Sequence, residues 1–246
     1  MGSDARGLPL CSRVLPDGCT DLLFDLSNSP QALVIGPMLQ PRLALSRPVE
    51  NIAVSFYPGR IFPFLDHPLS DLREKVVGLE PFWGRSSAEL LAHLMNAPDT
   101  ATRMQIIELE LLKRLARTDR QEIHVHRAVA CLYANKGNVD LRDLTRAVAL
   151  CERQLRRKLL AWTGYGPKQL GRIVRFQNSA RALLNARVVN GADIAASHDY
   201  ADQAHLVHEF KALSGLTPRD FKRAALERQA ECPIFSIPTP GAMMYS

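Results

Sequence analysis

Apolar residues in the second half of the chain recur with helical spacing, and the same spacing occurs twice. Leu155, Leu159, Trp162, Gly164 and Pro167 are followed 51 residues later by Leu206, Phe210, Leu213, Gly215 and Pro218. Positions i, i+4 and i+7 share one face of a helix. Gly supplies a left-handed stop and Pro opens the next helix. Upstream of the first copy, Leu141 to Ala149 carries Leu144, Ala147 and Val148 behind Asp140, an N-cap residue type, and turns at Ala149-Leu150-Cys151. Upstream of the second, Ala192 to Ser197 points Ile194 and Ala195 inward and turns around His198-Asp199-Tyr200. Each unit therefore predicts a short helix, a tight turn and a longer helix, the longer ones over 151–162 and 202–213. This is the helix-turn-helix arrangement, whose second helix fits a major groove. Between the units, from Pro167 to about Arg187, Ile173, Val174, Phe176, Leu183 and Leu184 predict one connecting helix.

The first half follows a different rule. Thr20 to Leu26, Ala32 to Ile35, Leu39 to Leu45 and Asn51 to Tyr57 are short apolar-rich runs broken by Pro, Gly, Asn or Ser, which predicts strands. Leu15-Pro16-Asp17-Gly18 is a turn signal. After Pro58-Gly59-Arg60 the spacing becomes helical over Ile61 to Leu65, Ser70 to Lys75, Ser87 to Met95 and Thr100 to Ala116. In the last of these, Met104, Ile107, Leu111 and Leu115 form a stripe that either packs on the strands or pairs with a second copy. Phe56, Tyr57, Phe62, Phe64 and Trp83 are candidates either for core packing or for lining an effector pocket. The fold class is thus α+β: a small β-rich domain with helices, then an all-α domain of two helix-turn-helix units and a linker helix.

Charge divides at the same place. Residues 1–120 carry a net charge of −1 and residues 121–230 a net +8, out of +6 for all 246 residues. A basic half joined to a near-neutral one suits a polyanion-binding domain attached to a sensing or pairing domain. The five cysteines, Cys11, Cys19, Cys131, Cys151 and Cys232, form no CxxC pair, which disfavours a disulfide framework or a four-cysteine zinc site. Reduced thiols, no membrane-spanning apolar run and no secretory leader lead us to expect a cytoplasmic protein without a membrane partner.

The outward faces of the two longer helices carry the chemistry. Arg153, Arg156, Arg157 and Leu160 point away from the first apolar stripe, and Ala204, Val207, His208 and Lys211 from the second. Arg reads guanine through a bidentate pair, and small apolar groups pack on thymine methyls. Lys168, Arg172, Arg175 and Arg181 on the linker are candidate phosphate contacts, as is Lys211, and such contacts position a protein without specifying sequence. Twenty helical residues span about 30 Å, close to the ~34 Å recurrence of major-groove faces. One chain can therefore place both helices on one side of a duplex.

The motifs now in view resemble those of the AraC/XylS family of bacterial transcription regulators. Tyr200-Ala-Asp-Gln-Ala-His-Leu-Val-His-Glu-Phe-Lys211 with Ser214-Gly-Leu-Thr-Pro218 is similar to that family's second helix-turn-helix and closing signature. Glu152-Arg-Gln-Leu-Arg-Arg157 is similar to its first recognition helix, and Gly166-Pro167 and Arg175-Phe176-Gln177 to its linker. The resemblance covers about Ile123 to Leu226. It implies base-reading positions at Arg153, Arg156 and Arg157, and at Gln203, Ala204, Val207 and His208. The sequence departs from the pattern at Ala149 and Asp199, where Gly is usual, at Cys151, where Ser caps, and at His208, where Arg is frequent. Cys is a poor cap, about 1 kcal/mol worse than Ser.

Leu15-Pro-Asp-Gly-Cys-Thr-Asp-Leu22, Ile35-Gly-Pro37 and Phe56-Tyr-Pro-Gly-Arg60 resemble the sensory domain of one AraC subgroup. That implies a small cupin-like domain with an effector pocket, for which Phe56, Tyr57, Phe62 and Trp83 are candidates. The chain starts close to the first motif, so an incomplete, open barrel is expected. The expected organisation is a sensory and dimerisation domain over 11–120, a DNA-binding domain over 121–230 and an irregular tail over 231–246. Expected partners are double-stranded DNA, a small-molecule effector, a second copy of the chain and, for an activator, RNA polymerase. No cofactor, metal or catalytic residue is expected. No GxSxG, HExxH or Walker pattern occurs, and His205 and His208 lack further zinc ligands. The alternative from another class is the AraC-like module of a DNA repair or modification enzyme, which would need a clustered, metal-bound cysteine.

Overall fold

The computed structural model describes residues 11–45, 50–118, 122–186 and 190–228; the tail over 231–246 lies outside them. The N-terminal half holds two antiparallel sheets. Strands β1 (Cys11–Val14) and β4 (Arg42–Leu45) form a two-stranded ribbon. Strands β2 (Thr20–Asp25), β3 (Gln31–Ile35), β5 (Asn51–Phe56) and β6 (Val76–Gly78) form a four-stranded sheet in the order β5-β2-β3-β6. Pairing sets Leu22 opposite Val34 on one side and opposite Val54 on the other. Alternation along β2 then sends Leu22 and Phe24 to one face, where they are buried with Val34 and Ile52. That face packs on helices α1 (Phe62–Leu65), α2 (Glu80–Trp83), α3 (Arg85–Asn96) and α4 (Thr100–Leu115) through Ile61, Leu65, Trp83, Leu90, Leu94 and Ile107. Among the described residues the sheet is open, with β5 and β6 as its edges.

The predicted strands begin within one residue of expectation, except that Leu39 to Pro41 precede β4 instead of joining it. The predicted helix over Ser70 to Lys75 is a single 3-10 turn, Leu69–Leu72, followed by Glu74 in the left-handed region. Strands β1 and β6 are additional. Both are short, and so carry too few alternations to announce themselves.

The second half is all helical: α5 (Ile123–Ala134), α6 (Leu141–Val148), α7 (Glu152–Thr163), α8 (Pro167–Asn185), α9 (Gly191–Ser197), α10 (Gln203–Ser214) and α11 (Pro218–Arg228). Helices α6 and α7 form the first predicted unit, α9 and α10 the second, and α8 the linker. Leu155, Leu159, Phe176, Leu206, Phe210 and Phe221 are among the fully buried side chains of their core. Phe176, Phe210 and Phe221 meet edge to face, with centroids 5.1 to 6.4 Å apart. The core does not stop at the chain's midpoint. Leu15 from the N-terminal half is buried in it, and Leu39 packs against it.

Candidate nucleic-acid interface

The two units are built by the same local devices. Asp140 caps α6 by accepting from Arg142 N at 2.7 Å, and Asn190 caps α9 by accepting from Ala192 N at 3.1 Å. Each tight turn contains one left-handed residue other than Gly, Ala149 (φ 54°) and Asp199 (φ 56°). Asp199 tolerates this conformation better than Ala does, because its side chain can bond locally. Its carbonyl also accepts from an Arg175 guanidinium nitrogen at 3.2 Å, while the guanidinium carbon lies 5.3 Å from the Tyr200 ring centre.

The longer helices start differently and end alike. Asp202 accepts from His205 N at 2.7 Å, whereas at the start of α7 Cys151 donates its N–H to Gln154 Oε1 at 3.3 Å. At the far ends, Gly164 (φ 75°) and Gly215 (φ 74°) take left-handed C-cap positions. The residue before each closes the turn with a hydroxyl. Thr163 Oγ1 donates to Leu159 O and accepts from Tyr165 N; Ser214 Oγ donates to Phe210 O and accepts from Leu216 N. The 51-residue repeat is therefore a repeat of hydrogen bonding as well as of apolar spacing.

This frame leaves the residues singled out in the sequence on the outside. Arg153, Arg156 and Arg157 are exposed on α7, and Gln203, Ala204 and His208 on α10, with Val207 half-buried among them. Arg156 is tied to Glu152 one turn back, Nε to Oε1 at 2.8 Å, a pair exposed enough to exchange for another acceptor at small cost. Among the described residues no acceptor pairs with Arg153 or Arg157. Lys168 and Lys211 are exposed, as phosphate contacts require. Arg172 is differently placed: its Nε lies 2.6 Å from Glu209 Oε2, and the Glu209 side chain is only 9% exposed. That ion pair binds the linker helix to the second recognition helix. Arg175 braces the second turn as described above.

The aromatics expected at an effector pocket fall in two separate surroundings. Phe56 tilts against Phe64 at 5.2 Å, and Trp83 donates Nε1–H to Phe64 O at 2.9 Å beneath the Arg114 guanidinium. Both belong to the N-terminal core. Tyr57 and Phe62 lie instead at the seam between the halves, Tyr57 against Tyr133 at 5.3 Å and Phe62 stacked on Trp162 at 4.2 Å.

The seam was not foreseen in the sequence, because its partners lie far apart along the chain. Tyr165 donates its hydroxyl to Met38 O at 2.9 Å, Gln177 donates to Pro16 O at 2.6 Å, and Arg13 donates to Ser214 O at 3.0 Å. Asp17 lies here, accepting from Cys19 N at 2.8 Å. Burial, then the nearby Asp21 carboxylate, push its carboxyl up to about 7. Burial also raises the Cys19 thiol, the Asp21 carboxyl and the Tyr133 and Tyr165 phenols. His126, edge-on to Trp162, is lowered by burial and by the Arg60 cation.

Two helix-turn-helix units on one linker, with basic outward faces, define a double helix-turn-helix protein. Residues 144–224 match the family model described as a helix-turn-helix domain. Residues 2–78 match a second model, described as a domain of unknown function, DUF6597. No curated protein matches the chain. Among solved structures the chain is similar to a transcriptional regulator with an AraC-type DNA-binding domain from Chromobacterium violaceum, at 18% identity over 45% of this chain and 95% of that one (TM-score 0.40). It is similar to the DNA-binding domain of AdpA, a global transcriptional factor solved with a target DNA, at 19% identity over 44% and 97% (TM-score 0.39). It is also similar to ToxT from Vibrio cholerae, at 13% identity over 87% and 88% (TM-score 0.41). Among the described residues no helix is long and apolar enough to cross a membrane.

Proposed function

We propose that the chain is a sequence-specific DNA-binding regulator that inserts α7 and α10 into successive major grooves of one duplex. The observation that carries this reading is the duplicated helix-turn-helix frame, which buries Leu155, Leu159, Leu206 and Phe210 and leaves Arg153, Arg156, Arg157, Gln203, Ala204 and His208 outside. Arg153, Arg156 and Arg157 read base edges in one box; Gln203, Ala204, Val207 and His208 read the other. Lys168 and Lys211 hold phosphates, and Arg172 reaches a phosphate only on leaving Glu209. The 19 residues of α8 span about 28 Å, comparable with the ~34 Å groove repeat.

The expected stripe on α4 packs inward through Ile107 and Leu111, and the N-terminal half pairs two copies of the chain through the opposite, outer face, where Leu109 is 66% and Leu112 53% exposed. A small molecule taken up by that half acts on DNA binding through the seam.

The test is selection of bound sequences from a random duplex pool at about 150 mM salt, a concentration at which nonspecific phosphate contacts are already weakened. Two boxes about one helical turn apart are expected. Binding that shows no motif and vanishes as salt rises would overturn the reading.

A further inference from the structure

The repeat places Gly164 and Gly215 at matching C-caps, and one short N-terminal segment lies against both. A methyl group at Gly164 would fall 2.6 Å from Cγ of Pro37. One at Gly215 would fall 2.8 Å from Nη1 of Arg13 and 3.8 Å from Cγ of Pro41. Between these contacts, Met38 O accepts the Tyr165 hydroxyl and Leu39 packs on the C-terminal core. Residues 37–41 thus form a strap that packs on the end of α7 and runs to beside the end of α10, where Arg13 is bonded to Ser214 O. Four residue steps span at most about 14 Å, so the two helix ends are tied to points a short, bounded distance apart.

The strap is itself braced. Glu74 Oε1 accepts from Leu39 N and from Gln40 N, and its Oε2 lies 3.1 Å from an Arg42 guanidinium nitrogen. Glu74 N donates to Pro37 O at 3.0 Å and Gly36 N to Lys75 O at 2.9 Å. Pro37 and Pro41 fix two of the five φ angles. The 3-10 turn that precedes Glu74 also packs on α7, and its Leu69 carbonyl oxygen would lie 3.2 Å from a methyl at Gly164. A segment held at its middle and both ends transmits position instead of absorbing it.

We propose that Arg13 and the Pro37–Pro41 strap are positioning residues that set the distance between the two recognition helices, and so the spacing of the two DNA boxes the chain accepts. This inference rests on the double-groove reading above. Within the helical half α10 is held on α8 by the Phe176–Phe210 packing and the Arg172–Glu209 pair; the strap and Arg13 add a second tie at its C-cap. The strap meets the C-terminal ends of α7 and α10 and leaves the base-reading positions on both helices uncovered.

The experiment uses the full chain, Arg13→Met and Glu74→Ala, with thermal melts to establish that both variants are folded. Arg13→Met removes the bond to Ser214, and Glu74→Ala softens the strap without touching either helix. Affinities are measured for the selected two-box duplex, for duplexes with the boxes one and two base pairs closer or farther apart, and for single-box duplexes. For both variants, single-box affinity is expected to stay within about twofold, while discrimination against altered spacing falls by about five- to tenfold, as loss of a charge-assisted bond would allow. A purely structural role would lower every affinity together. Unchanged spacing discrimination in both variants, or a uniform loss across all duplexes, overturns the strap. Failure of the unmodified chain to select a two-box motif overturns the double-groove reading, and the strap with it.

Discussion

The Tyr165 hydroxyl donates to the carbonyl oxygen of Met38, 127 positions earlier in the chain, at 2.9 Å in a fully buried setting. Tyr165 follows the C-cap of α7, and Met38 lies in the strap, so this bond joins the two halves beside the first recognition helix. Tyr165→Phe keeps the ring and leaves the Met38 carbonyl buried without that donor. A loss of about 1–3 kcal/mol is expected in urea denaturation. A midpoint equal to that of the unmodified chain would show that the carbonyl finds another donor.

Ala149 offers the opposite test, a gain. It is the residue after α6, at φ 54° and ψ 41°, a conformation that costs an L-residue roughly 1–2 kcal/mol relative to Gly. Part of that is returned because Gly also loosens the unfolded chain. Ala149→Gly should therefore raise stability by about 0.5–1 kcal/mol. A lower melting temperature would mean that the turn is not strained.

Leu206 is fully buried in the centre of α10, among the shared core residues of the C-terminal half. Leu206→Ala should cost about 2–5 kcal/mol, the range for emptying a well-packed site. The second unit should loosen first, so protection of α10 amides from hydrogen exchange is the sharper readout. Unchanged protection would place Leu206 outside the cooperative core.

The helical half was legible because its information is local. Leu155, Leu159 and Trp162 declare a face within eight residues, and Gly164 and Pro167 declare its end. The observed helices Glu152–Thr163 and Gln203–Ser214 lie one residue from the expected ones. The N-terminal half was legible in strands long enough to alternate, as in β2 and β5, and in helices α1, α3 and α4, which fall on the runs expected over Ile61 to Leu65, Ser87 to Met95 and Thr100 to Ala116. The seam was not legible at all. Leu15 and Pro16 read as the approach to a turn, yet Leu15 fills the C-terminal core and Pro16 O accepts from Gln177. Leu39 reads as strand but packs on the other half. Phe62 reads as core or pocket lining, and its partner is Trp162. No period or spacing encodes a contact between residues so far apart. A turn signal followed by buried-type residues next to charges, as in Asp17-Gly18-Cys19-Thr20-Asp21, was the one hint that this stretch does more than connect strands.

Arg157 tests the DNA reading at the level of one side chain. It is exposed on α7 one turn beyond Arg153. Arg157→Ala should cost roughly 1–3 kcal/mol of binding and relax preference at one base pair of one box. The melting temperature should stay within about a degree or two, because an exposed side chain away from caps and networks contributes little to stability. An unchanged selection profile would remove Arg157 from the reading face. Uniform weakening across all sequences would make it a phosphate contact.

Asp17 predicts how stability varies with pH. Its carboxyl ionises near 7 in the folded chain, against about 3.9 for an unconstrained Asp. Between these values the folded state holds the proton that the unfolded state has released, so stability falls as pH rises. Below about 4 both states are protonated and the group is neutral in its effect. Above about 7 both are ionised, and its contribution levels off at its most unfavourable. Asp17→Asn keeps an oxygen for the Cys19 N–H and removes the titration. The stability advantage of Asp17→Asn over the unmodified chain should therefore widen from pH 5 to pH 7 and stay constant from pH 7.5 to pH 8.5. Urea midpoints of both proteins across that range check this. A difference that does not vary with pH would mean that the Asp17 carboxylate is solvated at the seam and ionises at its ordinary value.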